Sequence, residues 1–240
     1  MNMKIKILQL YPRDMNLYGD LGNRSVICQR LIAYGYDPIV INYNPGDAFP
    51  NDTDIVLGGG GQDSGQYKIQ NDLLKIGPKL AKLANNDVPM LLICGLYQLF
   101  GHFFKTSSSE IINGIGLLDI ETYGKSERLI GNIITSNDEF GDIIGYENHS
   151  GQTFLGKKAK PLGIVRIGAG NNLIDSQEGA RYKNVIGTYL HGALLPKNPK
   201  IADFIIEKAA INRYGEFHQE QQFNDSIAKK ARFYAAKRPR

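Results

Sequence analysis

Pro89-Met90-Leu91-Leu92-Ile93-Cys94-Gly95-Leu96-Tyr97-Gln98-Leu99-Phe100 joins a short apolar run to a helix opening, with a cysteine at the joint. The apolar run predicts a buried strand over Pro89–Ile93, and the residues after Cys94 predict a helix ending near Phe104. A cysteine on such a turn lies at the carboxyl edge of a sheet beside a helix N-terminus, whose positive end favours thiolate over thiol. This is a nucleophile elbow with sulfur in place of a hydroxyl. A free cysteine is more commonly a small buried hydrophobe, so the rest of the chain must decide.

Working outward, the same alternation repeats. Lys4–Leu10, Asp37–Tyr43 and Asp54–Leu57 read as strands, and Asn23–Tyr34 and residues 70–86 as amphipathic helices. Strands alternating with helices predict an α/β fold with a doubly wound, mostly parallel sheet. Residues 111–190 change character. Short β-like runs at Gly116–Thr122, Leu129–Thr135, Asp142–Tyr146, Gly163–Ile167 and Asn184–Leu190, separated by glycine turns, predict an antiparallel extension of that sheet. Ala202–Ala210 predicts a late helix. One domain is expected over residues 4–215, with a basic, helical C-terminal tail over 216–240.

Charge is unevenly placed. From Phe217 onward six basic residues face two acidic ones, which is the whole of the net +4, and the remainder is neutral. This argues against a nucleic-acid surface on the main body, and a basic tail is ordinarily a solvated helix. Two cysteines, Cys28 and Cys94, make no disulfide framework. No signal peptide and no apolar stretch of the ~20 residues a membrane span needs is visible. A cytoplasmic protein without a transmembrane segment is expected.

The run Gly58-Gly59-Gly60-Gly61 follows a strand but lacks the Gly-x-Gly-x-x-Gly of a dinucleotide site and the Gly-Lys-Ser/Thr of a P-loop. Bare glycines at a strand's carboxyl end can instead bring backbone N–H groups to a reacting oxygen. Of the four histidines, His191 ends the run Val185–Leu190 and so reaches the same sheet edge as Cys94. Position alone makes it the best base.

Strand–Gly-Gly-Gly, then Cys-x-x-x-Gln at 94–98, then Tyr-Leu-His-Gly at 189–192 resembles the class I glutamine amidotransferases. Gly145-Tyr146-Glu147-Asn148-His149-Ser150-Gly151-Gln152-Thr153 narrows the likeness to the branch containing cobyric acid synthase. Within that branch, Asn16–Asn23, Ile93–Gln98 and Ile186–Gly192 are most similar to the stand-alone amidotransferase subunits of lipid II isoglutaminyl synthases. The likeness runs over about residues 4–215. It implies Cys94 as nucleophile and His191 as its base and acid. Backbone N–H groups of Gly59, Gly60 and Gly95 become the oxyanion hole, Gln98 a support for the γ-glutamyl group, and Arg128 the ligand of the glutamine carboxylate. No metal or cofactor is implied in this chain. ATP and Mg are expected on a Mur-ligase-like partner forming a heterodimer with it, with L-glutamine as substrate here and the D-glutamate α-carboxylate of the lipid II stem peptide as the partner's acceptor. Another acceptor, such as a cobalamin precursor, and a non-enzymatic flavodoxin-like thiol sensor are the alternatives.

Two departures stand out. The usual Gly-x-Cys-x-Gly elbow has Leu92 and Leu96 at its flanks, with Gly95 beside the cysteine. The acid that usually follows the histidine by two residues is absent, since Gly192 and Ala193 stand there. Glu147, Asp20 or a carboxylate of the partner could orient His191.

Overall fold

The computed structural model describes residues 3–239. The first half of the chain runs β1 (Met3–Leu10), α1 (Leu21–Ala33), β2 (Tyr36–Tyr43), β3 (Ile55–Gly58), α2 (Asp63–Asn85), β4 (Met90–Ile93) and α3 (Gly95–Leu99). It continues with β5 (Phe103–Lys105), β6 (Ile111–Asn113), β7 (Ile120–Asn137), β8 (Gly141–Leu155) and β9 (Gly163–Ile167). Last come β10 (Gln177–Glu178), β11 (Ala180–Tyr182), β12 (Val185–Thr188), α4 (Pro199–Tyr214) and α5 (Ser226–Ala236).

Six strands form one sheet in the order β11-β12-β4-β3-β1-β2, parallel except for β11. Every residue of β3, β4 and β12 is buried. Such strands are covered on both faces, which is why they read as unbroken apolar runs rather than as alternation. Helix α1 packs with α4, and α2 with α3. Of the expected antiparallel extension of this sheet only β11 belongs to it. Most of the rest forms a separate second sheet ordered β10-β9-β7-β5-β6, with β8 paired to β7, and the run read at Asn184–Leu190 is instead β12, parallel to β4 in the first sheet.

Several boundaries differ from the expectations. Helix α2 begins at Asp63 rather than near residue 70, with Asp63 in its first turn, where a carboxylate suits the helix dipole. Helix α3 ends at Leu99, short of Phe104. A side chain at Gly101 would meet the Ile120 carbonyl oxygen at 2.7 Å, so the chain turns there into β5. The runs read separately at 116–122 and 129–135 belong largely to one strand, the 18-residue β7. A register shift between Gly124 and Leu129 interrupts its pairing with β8.

The tail is helical only from Ser226. Before it, Phe217 stacks on Tyr36 and lies edge-on to Tyr34. Arg30, buried, is held by Asp203 at 2.7 Å and Asp225 at 2.6 Å, and this clamps the tail onto α1 and α4. Arg232 of α5 donates to the carbonyls of Lys197 and Asp142 and to Asn198 Oδ1. Among the described residues no helix is long and apolar enough to cross a membrane.

Candidate active site

Three adjacent parallel strands deliver the site. Gly58 at the end of β3 pairs with Leu92 of β4, and Thr188 at the end of β12 pairs with Ile93. The glycine run, Cys94 and the 189–191 segment therefore leave the sheet side by side at its carboxyl edge, where ligand sites of such sheets lie. The Cys94 N–H donates to Thr188 O at 2.8 Å, which ties the elbow to the histidine strand. Cys94 itself has φ 47° and ψ −99°, an unfavourable backbone for a residue with a Cβ. The sharp turn that points the side chain away from the sheet is thus present although its flanks are leucines.

His191 is fully buried beside Cys94. A Cβ on Gly60 would touch both, at 2.7 Å from His191 Cε1 and 3.2 Å from Cys94 Cβ. Three contacts hold His191. Its N–H donates to Tyr146 O at 2.8 Å, the Tyr18 ring meets it edge-on at 4.9 Å, and Asp20 Oδ1 lies 3.4 Å from Nδ1. That last separation is an ion-pair distance, not an aligned hydrogen bond. Burial alone would lower the imidazole pKa. The negative charge at Cys94 and the Asp20 carboxylate outweigh it and push it up to about 10.

Asp20 is also buried, and its second oxygen accepts the Gly60 N–H at 2.7 Å. The Gly60 carbonyl accepts from Leu17 N–H at 2.9 Å. The Gly60 N–H proposed for an oxyanion hole is therefore committed to Asp20 in this structure. Gly61 also meets the elbow, at the residue after the cysteine. A Cβ on Gly95 would sit 2.9 Å from Gly61 N, so only glycine allows the approach. At Gly59 a Cβ would lie 2.4 Å from Met15 O, which gives that glycine a packing reason. Glu147 receives the N–H groups of Ala169 and Gly170 on its two oxygens, each at 2.8 Å.

A cavity of about 410 Å³ opens over Cys94 and is lined also by Tyr18, Gln66, Gln98, Arg128 and His149. It falls in the range of small-molecule pockets. Arg128 lies in the irregular stretch of β7 and hydrogen-bonds to Asn148, through Nε and a terminal nitrogen to Oδ1 and through that nitrogen to the carbonyl. These are neutral acceptors, which leave the guanidinium charge available to an anion. Gln98 is buried; it donates to Tyr189 OH and accepts from Gln66, whose amide also donates to Gly95 O. His149 stacks on Tyr189 at 3.6 Å with Nδ1 at 2.7 Å from Gly151 O, and burial drops its pKa to about 3, so it stays neutral.

The sequence reading missed Asn148 and Tyr18, although both lie inside motif segments it quoted, and Gln66, for which the sequence holds no signal. It also missed Glu178, a fully buried carboxyl that accepts from Thr188 Oγ1 at 2.7 Å and Tyr189 N–H at 2.9 Å, just ahead of His191. Burial raises its pKa to about 7, against the two donors, with the Glu147 charge adding to the rise. The folded protein thus binds this proton more tightly than the unfolded chain, whose carboxyl titrates near ~4.3. The stabilisation is complete below ~4.3 and is lost as pH rises through about 7. Glu178→Gln keeps both accepted hydrogen bonds and does not titrate. The fall in melting temperature between pH 5 and pH 8 is expected to be smaller in this variant than in wild type; equal falls would show that Glu178 does not carry the effect.

A solved glutamine amidotransferase from Thermotoga maritima superposes with a TM-score of 0.55 at 15% identity, covering 96% of this chain and 93% of that one. The fold is thus that of the class I glutamine amidotransferases. Residues 6–199 match the CobB/CobQ-like glutamine amidotransferase domain, and the chain belongs to that family of glutamine-hydrolysing enzymes. Among its relatives is subunit GatD of the glutamine-hydrolyzing lipid II isoglutaminyl synthase of Staphylococcus aureus (strain N315), 38% identical over 224 residues, 93% of this chain and 91% of that protein. The corresponding subunit of Streptococcus pneumoniae (strain ATCC BAA-255 / R6) is 36% identical over 230 residues, 94% and 88% of the two chains.

Proposed function

We propose that this chain is the glutaminase subunit of a two-chain ligase, and that it releases ammonia from L-glutamine at Cys94 for an ATP-dependent, Mur-ligase-like partner. The observation that carries the reading is one cavity holding a nucleophile elbow, a buried histidine behind it and a cation across from it. Likeness to the two GatD subunits along nearly their whole length supports the D-glutamate α-carboxylate of the lipid II stem peptide as the partner's acceptor. ATP and Mg would bind on that partner.

The glutamine carboxylate meets the Arg128 guanidinium, which Asn148 holds in orientation; the planar fork suits two carboxylate oxygens. Gln98, fixed by Gln66 and Tyr189, forms the wall beside the γ-glutamyl group. The Cys94 thiolate attacks the side-chain amide carbon. A C–S bond forms, and the oxyanion is received by the N–H groups of Gly61 and Gly95. With Nδ1 facing Asp20, Nε2 is the nitrogen of His191 left to exchange protons at the reaction centre. The imidazolium protonates the amide nitrogen, the C–N bond breaks and ammonia leaves. Neutral His191 then takes a proton from water, which attacks the thioester carbon, releases glutamate and restores the pair.

Ammonia release from glutamine by the purified chain, alone and with the partner, tests the reading; no release in either case would refute it. Arg128 separates substrate binding from folding. Arg128→Ala is expected to lower kcat/KM by ~10- to 100-fold, chiefly through KM, in line with losing charge-assisted hydrogen bonds of roughly 1.5–3 kcal/mol. Thermal unfolding should move by no more than ~0.5 kcal/mol, as for most surface substitutions. A large stability loss with normal kinetics would instead make Arg128 structural.

A further inference from the structure

We infer that the outward face of the β7–β8 hairpin, continued by the C-terminal end of α5, is where the ligase partner seats, and that the partner presents carboxylates around an apolar patch there. This rests on the two-chain reading above and adds to it the surface and its chemistry.

Register defines the face. Ile130 stands opposite Asn148, and Asn132 opposite Tyr146, so side chains two apart along each strand share one side. On that side Asn148 holds Arg128, while Ile130 and Tyr146 stand 46% and 40% exposed. Next along the face, Asn132 Nδ2 donates to Pro239 O at 2.9 Å, which joins the hairpin to the tail. Helix α5 turns Arg232 inward. Outward it leaves Phe233 and Tyr234 54% and 58% exposed, with Lys237 Nζ 3.7 Å from the centre of the Phe233 ring. Exposed apolar side chains thus stand on the hairpin beside the glutamine-side arginine and on a helix end rich in cations, with the Asn132–Pro239 bond joining hairpin to tail.

Charge selects the occupant. The whole net positive charge of the chain lies in this tail, and Lys237 and Arg238 stand at this helix end. Exposed aromatics beside exposed cations match a protein surface with an apolar centre and an acidic rim. The seat also reaches the chemistry. The Tyr146 carbonyl accepts the His191 N–H, Asn148 orients Arg128, and Arg232 binds the Lys197 carbonyl while Lys197 Nζ grips the carbonyls of Gly192 and Ala193. A partner on this face would touch residues one contact removed from both the base and the substrate arginine, so docking and glutamine hydrolysis would be linked.

The test titrates the full-length chain with its Mur-ligase-like subunit by calorimetry. Phe233→Ser/Lys237→Glu is expected to weaken the complex by ~10-fold or more, as loss of an aromatic anchor with its cation does, and Ile130→Ser to weaken it in the same direction. Basal ammonia release and melting temperature of the tail variant should stay at wild-type values. Ile111→Ser removes an equally exposed apolar residue from β6, an edge strand of the second sheet, and should leave affinity within ~2-fold. A wild-type complex that these tail and hairpin substitutions do not weaken, or that Ile111→Ser weakens as much, would overturn the surface alone. Absence of any wild-type complex would overturn the two-chain reading with it. Sedimentation with phosphatidylglycerol vesicles that Lys237→Glu abolishes, with complex formation unchanged, would assign the face to an anionic membrane and also overturn the inference.

Discussion

Cys94→Ala is expected to abolish glutamine hydrolysis, by on the order of 10⁶ in kcat, the scale seen when a covalent nucleophile is removed from a coupled catalytic set. Among the described residues lining the cavity, Cys94 is the one thiol, and it adjoins His191. The other thiol, Cys28, lies half-buried on α1, where burial pushes its pKa up against the pull of Arg24. Cys28→Ala should leave turnover nearly unchanged. The backbone supplies a second readout. Because Cys94 holds a positive φ that costs a Cβ-bearing residue about 1–3 kcal/mol, Cys94→Gly should be inactive yet more stable than Cys94→Ala. A glycine variant no more stable than the alanine one would mean that the elbow is unstrained. Full activity in either would end the covalent mechanism.

How much of this was legible follows from where each signal lies along the chain. β3 and β4 could be read because strands buried on both faces show as apolar runs. β12, with Gly187 and Thr188, was read as a strand but assigned to the antiparallel extension, and each of the three delivers its functional residue at its end. Cys94 and His191 were therefore visible as residue types at strand ends. Arg128 and Gln98 came only through family likeness, because their neighbours in space, Asn148 and Gln66, are distant in sequence. The second sheet was harder. Glycines at 124, 131, 145 and 151 interrupt the two-residue alternation within β7 and β8 without ending either strand, so a long hairpin reads as several short runs. Asp20 was a candidate with no geometry. Just ahead of a helix, aspartate ordinarily reads as an N-cap. Here it makes no side-chain capping bond, and its carboxylate reaches Gly60 and His191 instead.

Asp20→Asn is expected to lower kcat by ~10²–10⁴ while KM changes little, the upper figure being the loss when a serine-protease triad loses its acid. The reason is the tautomer. Asp20 Oδ1 faces His191 Nδ1 and favours a proton there, which leaves Nε2 to act on sulfur and substrate. The amide can still accept the Gly60 N–H through its oxygen, but its NH₂ then faces Nδ1 and favours the opposite tautomer, with Nε2 already protonated. The imidazolium also loses one of the two charges that hold its pKa high, so the pH at which the histidine titrates should fall from about 10 toward its ordinary value. A purely structural role would lower melting temperature without moving the pH–rate profile, and Asp20→Glu should recover more turnover than Asn if carboxylate charge is what matters. The same variant discriminates between own-chain and partner acids. If Asp20 orients His191 in the assembled enzyme, the loss persists when the ligase subunit is bound. If a partner carboxylate takes that place, the defect of the isolated chain disappears in the complex. Unchanged kcat in both states would remove Asp20 from the mechanism and leave Cys94 and His191 as a dyad.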